Sequence, residues 1–286
     1  MPTALDQLLA CVPGSTSALM QWVLAQLAAG HPPNALQKSL VEAGWPPPLA
    51  QAAVQACQSS ACTAPAAPPL APEPDLANHP SDIDVGDRRV QVLCTWQHPR
   101  LVLFGNLLSD TECEQLIADA RPVMERSQTV NSQASAANDP SDRTSDGMFF
   151  QRAQTPVVAR LEARIARLVR WPTSHGEGLQ VLRYRPGAQY KPHHDYFAPE
   201  APQSAALLQH GGQRVGTLVI YLNDVPAGGC TYFPQSQLRI HPRKGHAVFF
   251  SYAVPSASTL TLHGGDPVLT GEKWIATKWL REREFR

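Results

Sequence analysis

The 286-residue chain carries no charge excess: 24 lysines and arginines balance 24 aspartates and glutamates. Phosphate affinity rests on a basic surplus, so this balance excludes a general nucleic-acid binder. Its six cysteines (Cys11, Cys57, Cys62, Cys94, Cys113, Cys230) are scattered without a C-x-x-C pair, which excludes a zinc ribbon or a disulfide framework. No stretch approaches the roughly 20 apolar residues of a membrane span. The opening "MPTALDQLLACVPG" has no basic n-region, and its apolar run is too short for a signal peptide. The expectation is a soluble, reduced, cytoplasmic protein. Apolar residues nonetheless make up 43% of the chain, enough for a real core.

Proline is abundant, at 27 residues, and its distribution divides the chain. "TAPAAPPLAPEP" (63–74) has almost no branched apolar residues and reads as a polyproline-like linker, placed at 61–84. Residues 1–60 before it read as a small helical segment. Leu19, Trp22, Val23 and Leu27 form one helical stripe that stops at Gly30. Leu36, Leu40 and Val41 form a second, stopping at Gly44, and "LAQAAVQAC" (49–57) is a third run. Such a bundle is a packing appendage, a dimerisation element or a docking module, and the residues do not choose among these.

The body, 85–286, opens with a strand pair, "RRVQVLCTWQ" and "RLVLFGNLL". A helix follows, with Ser109 as N-cap and Glu112 completing a capping box. The polar segment 128–147 lacks periodicity and reads as a lid or binding loop. A second helix, 156–171, carries Val157, Leu161, Ile165 and Leu168 on one face. Strand-and-turn sequence then runs to the end, interrupted by an Ala/Gln/Gly-rich insertion at 198–213. The pattern predicts a mainly β (α+β) barrel or sandwich with helices packed outside.

In "QYKPHHDYF" (189–197), extended backbone would put His193 and Asp195 on one face and His194 on the other. Convergent ligands are then His193 and Asp195, with His194 a bystander. The candidates for a third ligand are His241, His246 and His263. The first two flank the turn "HPRKGH" and read better as solvated histidines, whereas His263 ends the strand "STLTLH" before a glycine-rich turn. Two histidines and a carboxylate bind one face of an octahedral metal and leave three positions open, as in non-haem Fe(II) oxygenases. Strand parity puts Lys273, Ile275, Thr277 and Trp279 on one side of "KWIATKWLR" and Trp274, Ala276 and Leu280 on the other. A lysine on an inward row is costly unless an anion meets it. Lys273 is either a snorkelling edge residue or the partner of a dicarboxylate's distal carboxylate.

"LRYRPGAQYKPHHDYF", "QRVGTLVIYLNDVPAGGCTYFP" and "HGGDPVLTGEKWIATKWLRE", with "PRLVLFGNLLSDTECEQLI" and "DRTSDGMFF" upstream, closely resemble the prolyl 4-hydroxylase-like Fe(II)/2-oxoglutarate dioxygenases across about 86–285. The resemblance implies a distorted double-stranded β-helix (jelly-roll) with supporting helices. It implies His193, Asp195 and His263 as iron ligands, and Lys273 as partner of the far carboxylate of 2-oxoglutarate. It places Tyr184, Thr231 and Trp279 around that cosubstrate, Tyr190 and Arg214 near a peptide substrate, and "RTSDG" (143–147) in a loop that closes over it. The implied cofactors are Fe(II), 2-oxoglutarate and O2, with ascorbate as an accessory reductant. The implied partner is a proline-containing peptide or protein. Oxygenase chemistry on another target, and a metal-binding scaffold with vestigial catalysis, are the competing readings. Cys230 points away from Thr231 by parity and is left outside the site.

Overall fold

The computed structural model describes residues 8–9, 12–61, 71–126, 144–198, 200–202 and 204–286. The chain forms two compact units, Met1–Pro68 and Pro69–Arg286.

The first unit contains helices α1 (Ser17–Ala28), α2 (Pro33–Glu42) and α3 (Pro47–Ala61). The expected glycine stops are real: Gly30 and Gly44 take positive φ (84° and 91°). At each, the next two amides close back on the helix, Gly30 N to Leu27 O and His31 N to Gln26 O, then Gly44 N to Val41 O and Trp45 N to Leu40 O. These are Schellman stops, which need the left-handed backbone that glycine adopts without strain. Leu19, Met20, Val23, Leu36, Leu40, Val54 and Cys57 fill the unit's own core. Trp22 and Val41, expected on the buried stripes, are exposed.

In the second unit the strands are β1 (Asp82–Asp84), β2 (Arg89–Trp96), β3 (Leu101–Gly105), β4 (Glu125–Arg126) and β5 (Asp146–Phe150). They continue as β6 (Leu179–Tyr184), β7 (Tyr190–His193), β8 (Arg214–Tyr221), β9 (Ala227–Gly228) and β10 (Thr231–Phe233). The last are β11 (Leu238–Ile240), β12 (Ala247–Ser251), β13 (His263–Gly265), β14 (Val268–Thr270) and β15 (Lys273–Arg281). Helices α4 (Asp110–Ala120), α5 (Pro156–Leu168) and α6 (Ser204–Gln209) complete the unit. A nine-stranded sheet runs β1-β2-β3-β12-β8-β15-β6-β5-β4, and a four-stranded sheet runs β11-β10-β13-β7. All pairings are antiparallel, giving the expected jelly-roll with its helices outside.

Two cores explain the position of the site. One joins α4 and α5 to the outer face of the large sheet, through Leu116, Leu161, Ile165, Leu168, Trp274, Ala276 and Leu280. The other lies between the two sheets, through Leu182, Tyr184, Val219, Phe233, Val248, Phe250 and Ile275. β15 therefore splits by parity as expected, with its odd residues facing the inter-sheet space. The capping box forms as read: Ser109 N donates to Glu112 Oε2 at 2.9 Å, and Glu112 N donates to Ser109 Oγ at 3.2 Å. The same Glu112 carboxylate pairs with buried Arg164 of α5. Burial would raise its pKa, but Arg164 and the Ser109 donors outweigh that and lower it to about 2.

Two expectations need correction. The segment 61–84 is not all linker: α3 runs to Ala61, and the second unit begins at Pro69. Glu73 N donates to Val169 O at 2.9 Å, Arg170 Nε donates to Glu73 O at 3.0 Å, and Arg100 Nε donates to the Glu73 carboxylate at 2.9 Å. Extended, proline-rich backbone makes no hydrogen bonds of its own, so here the body supplies the partners. Nor is "STLTLH" a strand. Ser256 caps a short 3-10 turn at Ala257–Thr259, Leu260 is left-handed (φ 56°), and Thr259 bonds to Ser256 O and to Thr261. Serine and threonine hydroxyls offer the backbone local partners that compete with a ladder. His263 consequently begins a strand rather than ending one.

Candidate metal centre

β7 ends at His193, and the chain bends at Asp195 and Tyr196, yet the His193 and Asp195 side chains converge as the alternation argument requires. His263 reaches them from β13, whose register pairs it directly with His193. That approach demands glycine next to it: a Cβ on Gly264 would lie 2.8 Å from the Tyr232 ring and 2.9 Å from Tyr190 O. Asp195 Oδ1 stands 3.7 Å from His193 Nε2, and Asp195 Oδ2 stands 3.6 Å from His263 Nε2. These three side chains are the metal-competent cluster among the described residues, with ligand atoms all within 4.8 Å.

The donor set fits a divalent metal. His193 Nδ1 lies 2.9 Å from Lys191 O, and His263 Nδ1 lies 2.9 Å from Thr261 O. A carbonyl only accepts, so each Nδ1 carries the proton and each Nε2 presents a lone pair to the shared space. Burial alone would raise the Asp195 pKa, but His263 and His193 when protonated, with Arg214 and the Thr217 hydroxyl, hold it below the usual carboxylate range. His194 is buried, stacks on Tyr196 at 4.6 Å and lies outside the cluster. Burial, with His263 nearby, lowers its pKa. His241 is exposed at the Cys230 sulfur, with Nδ1 3.3 Å from Sγ, and His246 is likewise outside the cluster.

The cluster opens on a cleft between the sheets, whose walls include Tyr184, Tyr190, Thr231, Lys273 and Trp279. Five sequence-predicted residues thus line one space with the metal cluster. Lys273 is buried, with Nζ 5.6 Å from the Tyr184 ring and 5.9 Å from the Tyr221 ring. Burial lowers its pKa to about 8, only weakly opposed by Cys230 and Asp266. Thr231 Oγ1 accepts from Tyr221 Oη at 2.9 Å, so Tyr221 orients it from behind. Tyr190 stacks on His193 at 3.7 Å.

Arg214 does not line the cleft. Its guanidinium pairs with Glu177 (2.7 and 2.8 Å), lies 4.1 Å over the Trp279 ring and donates to Asp195 O at 3.3 Å. It stands behind Trp279 rather than at the open space. Sequence reasoning passed over Gln180, which lines the cleft and is buried. Parity with Tyr184 on β6 was the available signal. Gln180 Oε1 and Trp279 Nε1 are both buried with no hydrogen-bond partner among the described residues. Of the expected closing loop, residues 127–143 (Arg143 included) lie outside the described residues. Its end is anchored at the site: Thr144 N donates to Gln189 O at 3.2 Å, and Gln189 N donates to Thr144 Oγ1 at 2.9 Å.

Two histidines and one carboxylate, meeting inside a double-stranded β-helix beside an isolated buried lysine, define a non-haem Fe(II) oxygenase that uses 2-oxoglutarate. Comparison with known proteins agrees. Residues 179–281 match the 2OG-Fe(II) oxygenase superfamily. Probable prolyl 4-hydroxylase 3 of Arabidopsis thaliana is 38% identical over 222 residues, covering 70% of this chain and 75% of the relative. Prolyl 4-hydroxylase 5 of the same plant is also 38% identical, over 70% and 74% of the two chains. The 2OG complex of the viral collagen prolyl hydroxylase from Paramecium Bursaria Chlorella virus-1 superposes with a TM-score of 0.50 at 29% identity, covering 63% of this chain and 95% of that one. The chain belongs to the prolyl 4-hydroxylase-like family of Fe(II)/2-oxoglutarate dioxygenases.

A buried lysine that meets a cosubstrate carboxylate would make cosubstrate binding pH-dependent. With its pKa lowered to about 8 in the cosubstrate-free protein, Lys273 is cationic below that pH and neutral above it. Affinity for 2-oxoglutarate should therefore be level from pH 6.5 to 7.5. It should then weaken as pH rises past 8, by up to about tenfold per unit. Lys273→Arg, cationic throughout, should flatten the profile. Anaerobic titration of the Fe(II)-loaded protein with 2-oxoglutarate checks both, and a wild-type profile flat to pH 9.5 would contradict them.

Proposed function

We propose that the protein hydroxylates proline residues within a peptide or protein. His193, Asp195 and His263 would hold Fe(II), which would supply the activation of O2. One oxygen atom enters the substrate as hydroxyl and the other enters succinate, while 2-oxoglutarate loses CO2. The residues do the remainder. Lys273 meets the distal carboxylate of 2-oxoglutarate, with Thr231 and Tyr184 beside it, and the apolar walls limit water. Ascorbate would serve as a reductant that returns the metal to the ferrous state.

The observation that carries the peptide reading is the unsatisfied pair in the wall. An orphaned buried acceptor (Gln180 Oε1) and donor (Trp279 Nε1) suit a substrate that brings both a backbone N–H and a carbonyl. The named activities of the relatives point the same way. So does the anchoring of Thr144 on Gln189, next to Tyr190. Proline in polyproline conformation is a favourable guest, since little backbone entropy remains to be lost. A reducing, cytoplasmic setting belongs to the same proposal, supported by the free cysteines Cys57, Cys94, Cys113 and Cys230.

Incubation with Fe(II), 2-oxoglutarate and proline-containing peptides should produce succinate and add one oxygen to a proline inside the peptide. Free proline should be converted poorly or not at all. Robust conversion of free proline with peptides inert would replace this reading with a small-molecule oxygenase.

A further inference from the structure

Asp195 offers two oxygens to a metal, and the fold treats them differently. Oδ2 accepts a hydrogen bond from Thr217 Oγ1 at 2.8 Å, and Thr217 Oγ1 lies 2.9 Å from Tyr252 Oη. An ionised carboxylate only accepts, and a threonine hydroxyl has one proton. Thr217 therefore donates to Asp195 and accepts from Tyr252, which fixes the direction of the whole chain. Thr217 and Tyr252 are both buried, at 0% and 2% exposure, so no water replaces either bond. Thr217 sits in the middle of the large sheet, in register with Phe250 of β12 and Trp279 of β15, where its backbone cannot drift. The backbone of Asp195 is held separately, by Arg214 Nη1 on its carbonyl at 3.3 Å. Oδ1 faces His193 Nε2 at 3.7 Å and Oδ2 faces His263 Nε2 at 3.6 Å, so it is the Thr217 hydrogen bond on Oδ2 that distinguishes the two oxygens.

We propose that Thr217 and Tyr252 are positioning residues that tie up Asp195 Oδ2 and so reserve Oδ1 as the single oxygen for the metal. The reason is coordination number. Two histidines and a one-oxygen carboxylate leave three positions, enough for a chelating 2-oxoglutarate and O2. A carboxylate free to turn about Cβ–Cγ could offer both oxygens and occupy one of those three. A hydroxyl chain anchored in a central strand prevents that rotation. The inference rests on the reading of His193, Asp195 and His263 as the metal face, and it is independent of which substrate is hydroxylated.

The test uses the full chain stripped of metal, with Mn(II) as the probe and neither 2-oxoglutarate nor peptide present. Thr217→Val keeps the side-chain shape and removes the hydroxyl, and should weaken Mn(II) binding by about 10–100-fold, the usual effect of losing a residue that orients a ligand. Thr217→Ser keeps the donor and should bind within about threefold of the parent. Tyr252→Phe should weaken binding by less than Thr217→Val. In the double variant it should add nothing, because Tyr252 acts only through Thr217. Water-proton relaxation by the bound Mn(II) should fall by about a third in Thr217→Val, as one of three open positions is lost. Melting curves of the metal-free variants report folding, and if Thr217→Val is unfolded then Tyr252→Phe against Thr217→Ser decides. Binding within twofold of the parent with unchanged relaxation in Thr217→Val overturns the proposal. So does an equal loss from Tyr252→Phe in the parent and in the Thr217→Val background, which would mark Tyr252 as packing alone. In the fallback, unchanged binding in Tyr252→Phe overturns it. Failure of the parent itself to bind Mn(II) would instead remove the metal reading beneath it.

Discussion

Alanine at His193, Asp195 or His263 is expected to abolish Fe(II)-dependent succinate release, whereas alanine at His194 should leave most of it. The four residues differ little in sequence context but greatly in what they face. His193 and His263 each donate Nδ1–H to a backbone carbonyl two residues earlier, leaving Nε2 free toward Asp195. Removing any of the three leaves two ligands, too few to hold a divalent ion against water. His194 stacks on Tyr196 instead, and its loss should cost stability of about 1–3 kcal/mol, the range for an ordinary destabilising substitution. Metal titration of each variant, with melting temperature as a folding control, separates the two effects. Equal loss of iron in His194→Ala and His193→Ala would refute the assignment.

Lys273→Ala should raise the 2-oxoglutarate requirement by about a hundredfold or more and leave metal affinity nearly intact. Truncating one partner of a buried ion pair costs about 3–5 kcal/mol, because the other charge is left stranded away from water. Lys273 is buried, is joined by a side-chain hydrogen bond to no carboxylate among the described residues, and lines the cleft that holds the metal cluster. An isolated buried cation is unfavourable by itself, which is why its pKa falls to about 8. The carboxylate of the cosubstrate would relieve that cost, so the same feature that strains the empty site gives the full one its affinity. The decisive measurement is the 2-oxoglutarate concentration for half-maximal succinate release at saturating Fe(II). An unchanged value would move the anchor elsewhere. Lys244 is poorly placed to replace it, being bonded to Glu114 at 2.7 Å, and Arg214 is already paired with Glu177.

Much of this site was legible before any coordinates, because strand geometry has a period of two. Alternation alone separated His193 and Asp195 from His194, and set Lys273, Thr277 and Trp279 on one side of β15 with Trp274 and Leu280 on the other. The helix signals were equally local: the Ser109–Glu112 box and the Gly30 and Gly44 stops need only four or five consecutive residues, and the structure contains each. What only the tertiary structure decided involves partners far apart in the chain. The ladder from β7 to β13 brought His263 to His193 across 70 positions; the local sign that favoured it over His241 and His246, a strand over "STLTLH", does not exist, and register alone made the match. Glu73 became part of the catalytic unit because Val169, Arg170 and Arg100 meet it, although its neighbours read as linker. The placement of Arg214 behind Trp279, and of Thr217 between Asp195 and Tyr252, depends on which strands lie side by side. Residue type and spacing determine the chemistry a short segment can offer. Sheet order, set by the burial of whole faces against each other, determines which segments offer it to the same metal ion.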